Sequence, residues 1–130
     1  KIGYTYSIDY NDQDIRHTSL SNDDVFLKRF YAYIDQNISN PELDINTIIE
    51  HFQISRVQLY RKLKSQTNLS ANKIIKTHRL QKAKELLLAN NMNISEIAYA
   101  VGFTDSLYFS KCFKEKFKVS PSHYLKKNHK

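Results

Sequence analysis

The chain has 130 residues, 41% of them hydrophobic, with only 2 Gly, 2 Pro and 1 Cys. That suffices for one domain with a real core or for two small subdomains sharing a helix; the scarcity of turn residues argues against sandwiches and barrels, which need them at every hairpin. The net charge of +7 divides unevenly: residues 1–50 hold four Lys/Arg against nine Asp/Glu, a net of −5, and residues 51–130 hold sixteen against four, a net of +12, so the second part calls for a polyanionic partner, nucleic acid first and an anionic membrane surface second.

Residues 1–20 show no helical period and read as linker or tail. Ser21 and Asp24 form a cap signature, and Phe26, Leu27, Phe30, Tyr31, Ile34 and Ile38 then recur at three- and four-residue steps until Asn40-Pro41 ends the helix. A short helix follows from Asp44, with Ile45, Ile48, Ile49 and Phe52 apolar. Ser55 and Gln58 make a capping box for the next, whose buried stripe is Leu59 and Leu63. Ser70 caps a rod reaching Asn90, with Ile74, Ile75, Leu80, Ala83, Leu86 and Leu87 in register; its 21 residues would span roughly 31 Å. Asn93 and Glu96 cap another short helix carrying Ile94, Ile97, Ala98 and Val101. Gly102 makes the turn, Phe109, Phe113 and Phe117 stripe the next helix, and Ser120-Pro121 starts a last one.

The two parts repeat. Ile45-x-x-Ile48-Ile49-x-x-Phe52 matches Ile94-x-x-Ile97-Ala98-x-x-Val101 at an offset of 49, and Leu59-x-x-x-Leu63-Lys64 matches Phe109-x-x-x-Phe113-Lys114 at an offset of 50, so the second turn is one residue longer. The expected fold is all-α: about seven helices, with one helix-turn-helix at about 44–68, a linker helix at about 70–90 and a second helix-turn-helix at about 93–118, within a domain spanning 21–128.

In a helix-turn-helix the second helix lies in the major groove, docked by its apolar face. With Leu59 and Leu63 inward, Val57, Arg61 and Lys64 lie opposite and Tyr60 flanks them. With Phe109 and Phe113 inward, the same construction selects Leu107, Lys111 and Lys114, with Ser110 flanking. Arg61 is suited to a guanine edge, Lys111 less rigidly so, and Val57 and Leu107 to thymine methyls. Arg56, Gln58, Lys62, Lys64 and Lys114 suit phosphates, which fix register without reading sequence. Backbone donors near Ser55 and Asp105 add to these. The linker is of the size of one DNA turn, roughly 34 Å, so one chain can reach two successive major grooves, bending the duplex if they lie too far apart.

The run Arg79-Leu80-x-x-Ala83, Leu86-Leu87, Ile94-x-x-Ile97-Ala98-x-x-Val101-Gly102-Phe103-x-Asp105-x-x-Tyr108-Phe109, Phe113-Lys114-x-x-Phe117-x-x-Ser120-Pro121-x-x-Tyr124 strongly resembles the DNA-binding domain of AraC/XylS-family transcription regulators. Ser55-Arg56-x-Gln58-Leu59-Tyr60-Arg61-Lys62-Leu63-Lys64 and Asp24-x-Phe26-Leu27 look like the version at the C-terminal end of hybrid two-component sensor regulators. The resemblance covers about 21–126. It implies seven helices, a bipartite double-stranded DNA site, contact with RNA polymerase in activation, and upstream signalling domains in the same chain; any dimer would form through such domains outside this sequence. It places readers at Val57, Tyr60, Arg61, Ser106, Leu107, Ser110 and Lys111. Family members often have Gly where this chain has Gln53, Asn68 and Lys118, so strain or altered turns are expected there.

Other classes fit less well. The five His are scattered, Gly3 and Gly102 stand alone, and no catalytic, metal or cofactor site is expected. Cys112, on the flank of the second reading helix, reads as a packed small residue rather than a reactive thiol. A chain starting at Lys1 reads as part of something longer, and one Cys with no apolar run of about 20 residues suits a cytoplasmic domain, whose full-length protein could still be anchored in the inner membrane. The alternatives are a protein-interaction module built on the acidic helix at 22–38, a non-specific nucleic-acid binder, and a basic helix lying on a membrane surface.

Overall fold

A computed structural model describes residues 22–89 and 91–128, with the side chains of residues 22 and 23 excepted. The tail at 1–20, the Ser21 cap and Asn90 lie outside the described residues. The described residues form seven helices: α1 Asn22–Gln36, α2 Ile45–Phe52, α3 Arg56–Thr67, α4 Ala71–Ala89, α5 Ile94–Ala100, α6 Ser106–Phe117 and α7 Pro121–Asn128. The fold is all-helical, as expected.

The capping boxes expected for α3 and α5 form as placed, and α2 has one at Asp44 as well. In α2, α3 and α5 the N-cap side chain of Asp44, Ser55 or Asn93 accepts the N–H of Thr47, Gln58 or Glu96, whose own side chain accepts in return from the cap N–H. Each such pair satisfies two backbone donors that a helix start leaves without partners. The starts of α2 and α5 differ by 49 positions and those of α3 and α6 by 50. The extra residue enters at Val101-Gly102: the first unit turns at a single left-handed residue, Gln53, whereas the second passes through Val101 at φ −99° before Gly102 turns at φ 94°.

Two cores share one helix. Phe30, Ile34, Ile48, Leu59 and Leu63 pack with Ala71, Ile74 and Ile75 of α4. Ile97, Ala98, Val101, Phe109 and Phe113 pack with Leu80, Ala83 and Leu87 further along it. Each such large apolar side chain contributes about 1.5–3 kcal/mol on full burial. Most stability therefore comes from docking on α4 rather than from short helices of 7 or 8 residues, which are marginal alone. The 19 described residues of α4 span about 28 Å, and Ser70 stands outside the helix as its cap, accepting from Lys73 N.

α4 changes allegiance between Ile75 and Leu80, and there α1 is tied to it. The His78 ring stacks on Tyr31 with centroids 5.3 Å apart and its Nδ1 lies 3.0 Å from Asp35 Oδ1. Arg79 donates from Nε to the Ile38 carbonyl at 3.1 Å and from its terminal nitrogen to the Asn40 carbonyl at 2.7 Å. These bonds explain why α1 stops at Gln36 although Ile38 keeps the apolar register: the carbonyls beyond it turn to the guanidinium. Gly102 closes against the same carbonyl. A Cβ there would run into the Ile38 oxygen and lie 2.6 Å from Arg79 Nε.

Three non-glycine residues sit in the left-handed region: Gln53 at φ 56°, Asn68 at φ 60° and Lys118 at φ 70°. The expected departure is thus one of strain, the turns themselves being kept. Left-handed geometry costs a residue with a Cβ about 1–2 kcal/mol, part of which glycine returns as unfolded-state entropy. Gln53→Gly and Lys118→Gly are each expected to stabilise by about 0.5–1 kcal/mol, and Asn68→Gly by less, since Asn tolerates this region. Urea unfolding of the three variants checks this. A loss of stability at Gln53 or Lys118 would mean that the side chain contributes more than its backbone costs.

Candidate nucleic-acid interface

α3 and α6 each bury one stripe and present the other. Leu59 and Leu63 are buried on α3, as are Phe109, Cys112 and Phe113 on α6. On the outer side of α3, Val57 and Tyr60 are 54% and 60% exposed, and Arg61 and Lys64 are exposed with them. On α6, Leu107 is 81% exposed, Lys111 and Lys114 are exposed, and Ser106 and Ser110 are half-buried at its edge. Val57 with Tyr60, and Leu107 with Tyr108, place exposed apolar side chains next to the basic ones on each helix. The positions correspond at an offset of 50: Val57, Arg61 and Lys64 in one helix, Leu107, Lys111 and Lys114 in the other. α3 contains no acidic residue at all, and α6 only Glu115.

The structure separates the five phosphate candidates. Lys64 and Lys114 stand on the outer faces. Arg56 is exposed but donates to Asn46 Oδ1 of α2 at 2.6 Å, which fixes its direction at the start of α3. Gln58 is committed to the cap, its Oε1 accepting from Ser55 N at 2.8 Å. Lys62 turns to α1, its ammonium 5.0 Å from the centre of the Phe26 ring. Both of these side chains therefore serve the first unit's own packing.

Tyr108 was not among the selected readers, yet it is 50% exposed beside Leu107. In the sequence it is marked by its place in the family-like run and next to Leu107. Hydrogen bonding to the Cys112 side chain pushes its phenol above the ordinary pKa. Cys112 itself is buried and free, in keeping with a packing role. Among the described residues no group of three or more His, Cys, Asp or Glu is placed to hold a metal ion, and no helix is long and apolar enough to cross a membrane.

Residues 48–127, which run from within α2 through the second helix pair, match the helix-turn-helix domain family. The chain belongs to the AraC-type DNA-binding domains. This AraC-type domain is 39% identical over 107 residues to a protein named Histidine kinase P4 from Formosa agariphila, a match covering 82% of this chain and 8% of that protein. It is 33% identical over 103 residues to the HTH-type transcriptional activator RhaS of Escherichia coli strain SE11, covering 79% of the domain and 37% of RhaS. It thus spans well under half the length of either. Among solved structures it resembles the C-terminal domain of AraT, a response regulator from Geobacillus stearothermophilus, with a TM-score of 0.76 at 33% identity over 85% of this chain and 88% of that one. The AraC-type domain is accordingly a DNA-binding domain of transcription regulators, a class distinct from enzymes.

Proposed function

We propose that the domain reads two successive major grooves on one face of a duplex, α3 in one and α6 in the next, as the transcription-activating output of a two-component signalling protein. The observation that carries the readout is the matched pair of outer faces, apolar–basic–basic at 57, 61 and 64 and again at 107, 111 and 114, on two helices anchored to one rod. Arg61 and Lys111 take purine edges. Val57 and Leu107 take thymine methyls, Tyr60, Ser106 and Ser110 flank them, and Arg56, Lys64 and Lys114 hold phosphates.

Activation and the signalling context rest on relatives: one is named an activator, one a histidine kinase, and one neighbour is a response regulator's C-terminal domain. In such a setting RNA polymerase and the signalling domains of a longer chain are the protein partners.

Selection of random duplexes on the purified domain at fixed, near-physiological salt tests the readout, since non-specific binding is mostly phosphate electrostatics. Two enriched blocks with centres about 10 base pairs apart are expected. Binding without enrichment would leave a non-specific nucleic-acid module. Reporter transcription from the selected site, fused to a signalling domain, tests activation.

A further inference from the structure

The first turns of α4 and the turn that leads into α6 line a cleft of about 580 Å³. Its polar lining includes the cap residue Ser70 and, from the first half of α4, Asn72, Lys73 and Lys76, together with Thr104 and Tyr108 where α6 begins. Ser70 also lines the groove beside α3 that holds Arg56, Val57 and Tyr60. The surface is therefore continuous from the outer face of one reading helix, across the linker, to the start of the other.

The charge in this cleft divides by role. Arg79 lies in it, but two of its three nitrogens donate to the Ile38 and Asn40 carbonyls, and burial lowers its pKa from the usual guanidinium value. Lys73 is exposed and Lys76 half-buried, one helical turn apart, and no ion pair to a described residue holds either ammonium. Further along α4 the cations are engaged: Lys82 pairs with Glu85 at 3.7 Å and Lys84 lies 4.8 Å from the centre of the Phe117 ring.

We infer that this cleft is a third DNA contact: a track for the phosphodiester strand that crosses between the two major grooves, with Lys73 and Lys76 as its cations and Asn72 and Thr104 as neutral donors. The inference rests on the two-groove reading above. A duplex seated on α3 and α6 at once must carry its backbone past the segment that joins them. The joining segment here presents two cations in a hollow, where a strand can approach more closely than on a convex helix face. Phosphate contacts of this kind add affinity without sequence preference.

The test is the salt dependence of binding to the selected two-block duplex, for the domain itself, for K73Q/K76Q and for K82Q/K84Q. The last pair removes the same charge from the same helix outside the cleft. Thermal unfolding of all three establishes that they are folded. Each lost phosphate contact lowers the slope of log K against log salt by about 0.9. K73Q/K76Q should therefore lose about twelvefold less affinity than the parent between 50 and 200 mM salt, should bind more weakly at the lower salt, and should select the same two blocks. K82Q/K84Q should keep the parent slope. An unchanged slope in K73Q/K76Q, or an equal change in both pairs, overturns the track. If the parent enriches one block only, the two-groove reading falls and the track falls with it.

Discussion

Gly102→Ala is expected to cost the domain about 3 kcal/mol of stability. Two effects add. At φ 94° a side chain of any kind strains the backbone, a cost of about 1–3 kcal/mol. The new methyl also meets the Ile38 carbonyl oxygen, a backbone atom that cannot swing aside, and the Arg79 guanidinium bonded to it. Relief means opening the joint, which forfeits hydrogen bonds from a charged donor worth about 1.5–3 kcal/mol each. Arg79→Ala breaks the same joint from the other side. The double variant should therefore lose less than the sum of the two singles. Urea unfolding of the four proteins measures this. A loss below about 0.5 kcal/mol for Gly102→Ala, the range of an ordinary surface change, would mean that α1 and the second unit do not close on each other in solution.

The second large effect is on recognition. Arg61→Ala should weaken binding to the selected duplex by about 10- to 100-fold, in line with the 1–3 kcal/mol of a good bidentate contact, and should relax base preference in one block while leaving the other intact. Lys111→Ala should do the converse. Lys64→Ala offers the contrast: weaker binding to every duplex alike, with the salt slope reduced by about 0.9. The separation of roles predicts that difference in pattern rather than in size. An even loss across all sequences for Arg61→Ala would move Arg61 to the phosphate class.

Much of this was legible in the sequence for a physical reason. Capping boxes are local, so Ser55/Gln58 and Asn93/Glu96 could be read directly and are found as read. The apolar stripes of α3 and α6 are strict, so their outer faces followed by helix geometry, and Val57, Tyr60 and Leu107 stand open to solvent despite their apolar character. What was not legible depends on contacts distant in sequence. Nothing near Ile38 announces that its carbonyl faces a residue 41 positions away, which is why α1 ended earlier than its apolar period. Lys62 carries the charge of a phosphate ligand, but its position relative to Phe26 is set by how α3 crosses α1. Lys73, Lys76 and Tyr108 come together only once α4 has brought the start of the second unit beside its own first turns.

The joint at Arg79 and Gly102 also bears on how tightly two weak readers can hold one duplex. Two units linked in a fixed pose act as a chelate: once one is seated, the other meets its block at high effective concentration, and combined affinity can exceed either alone by about 10²–10⁴. That gain exists only while the linkage matches the spacing of the blocks. A closed joint therefore trades tolerance for avidity, so that inserting a few base pairs between the blocks should forfeit most of the chelate gain. A loosened joint should flatten that penalty, at the expense of grip on the correctly spaced site.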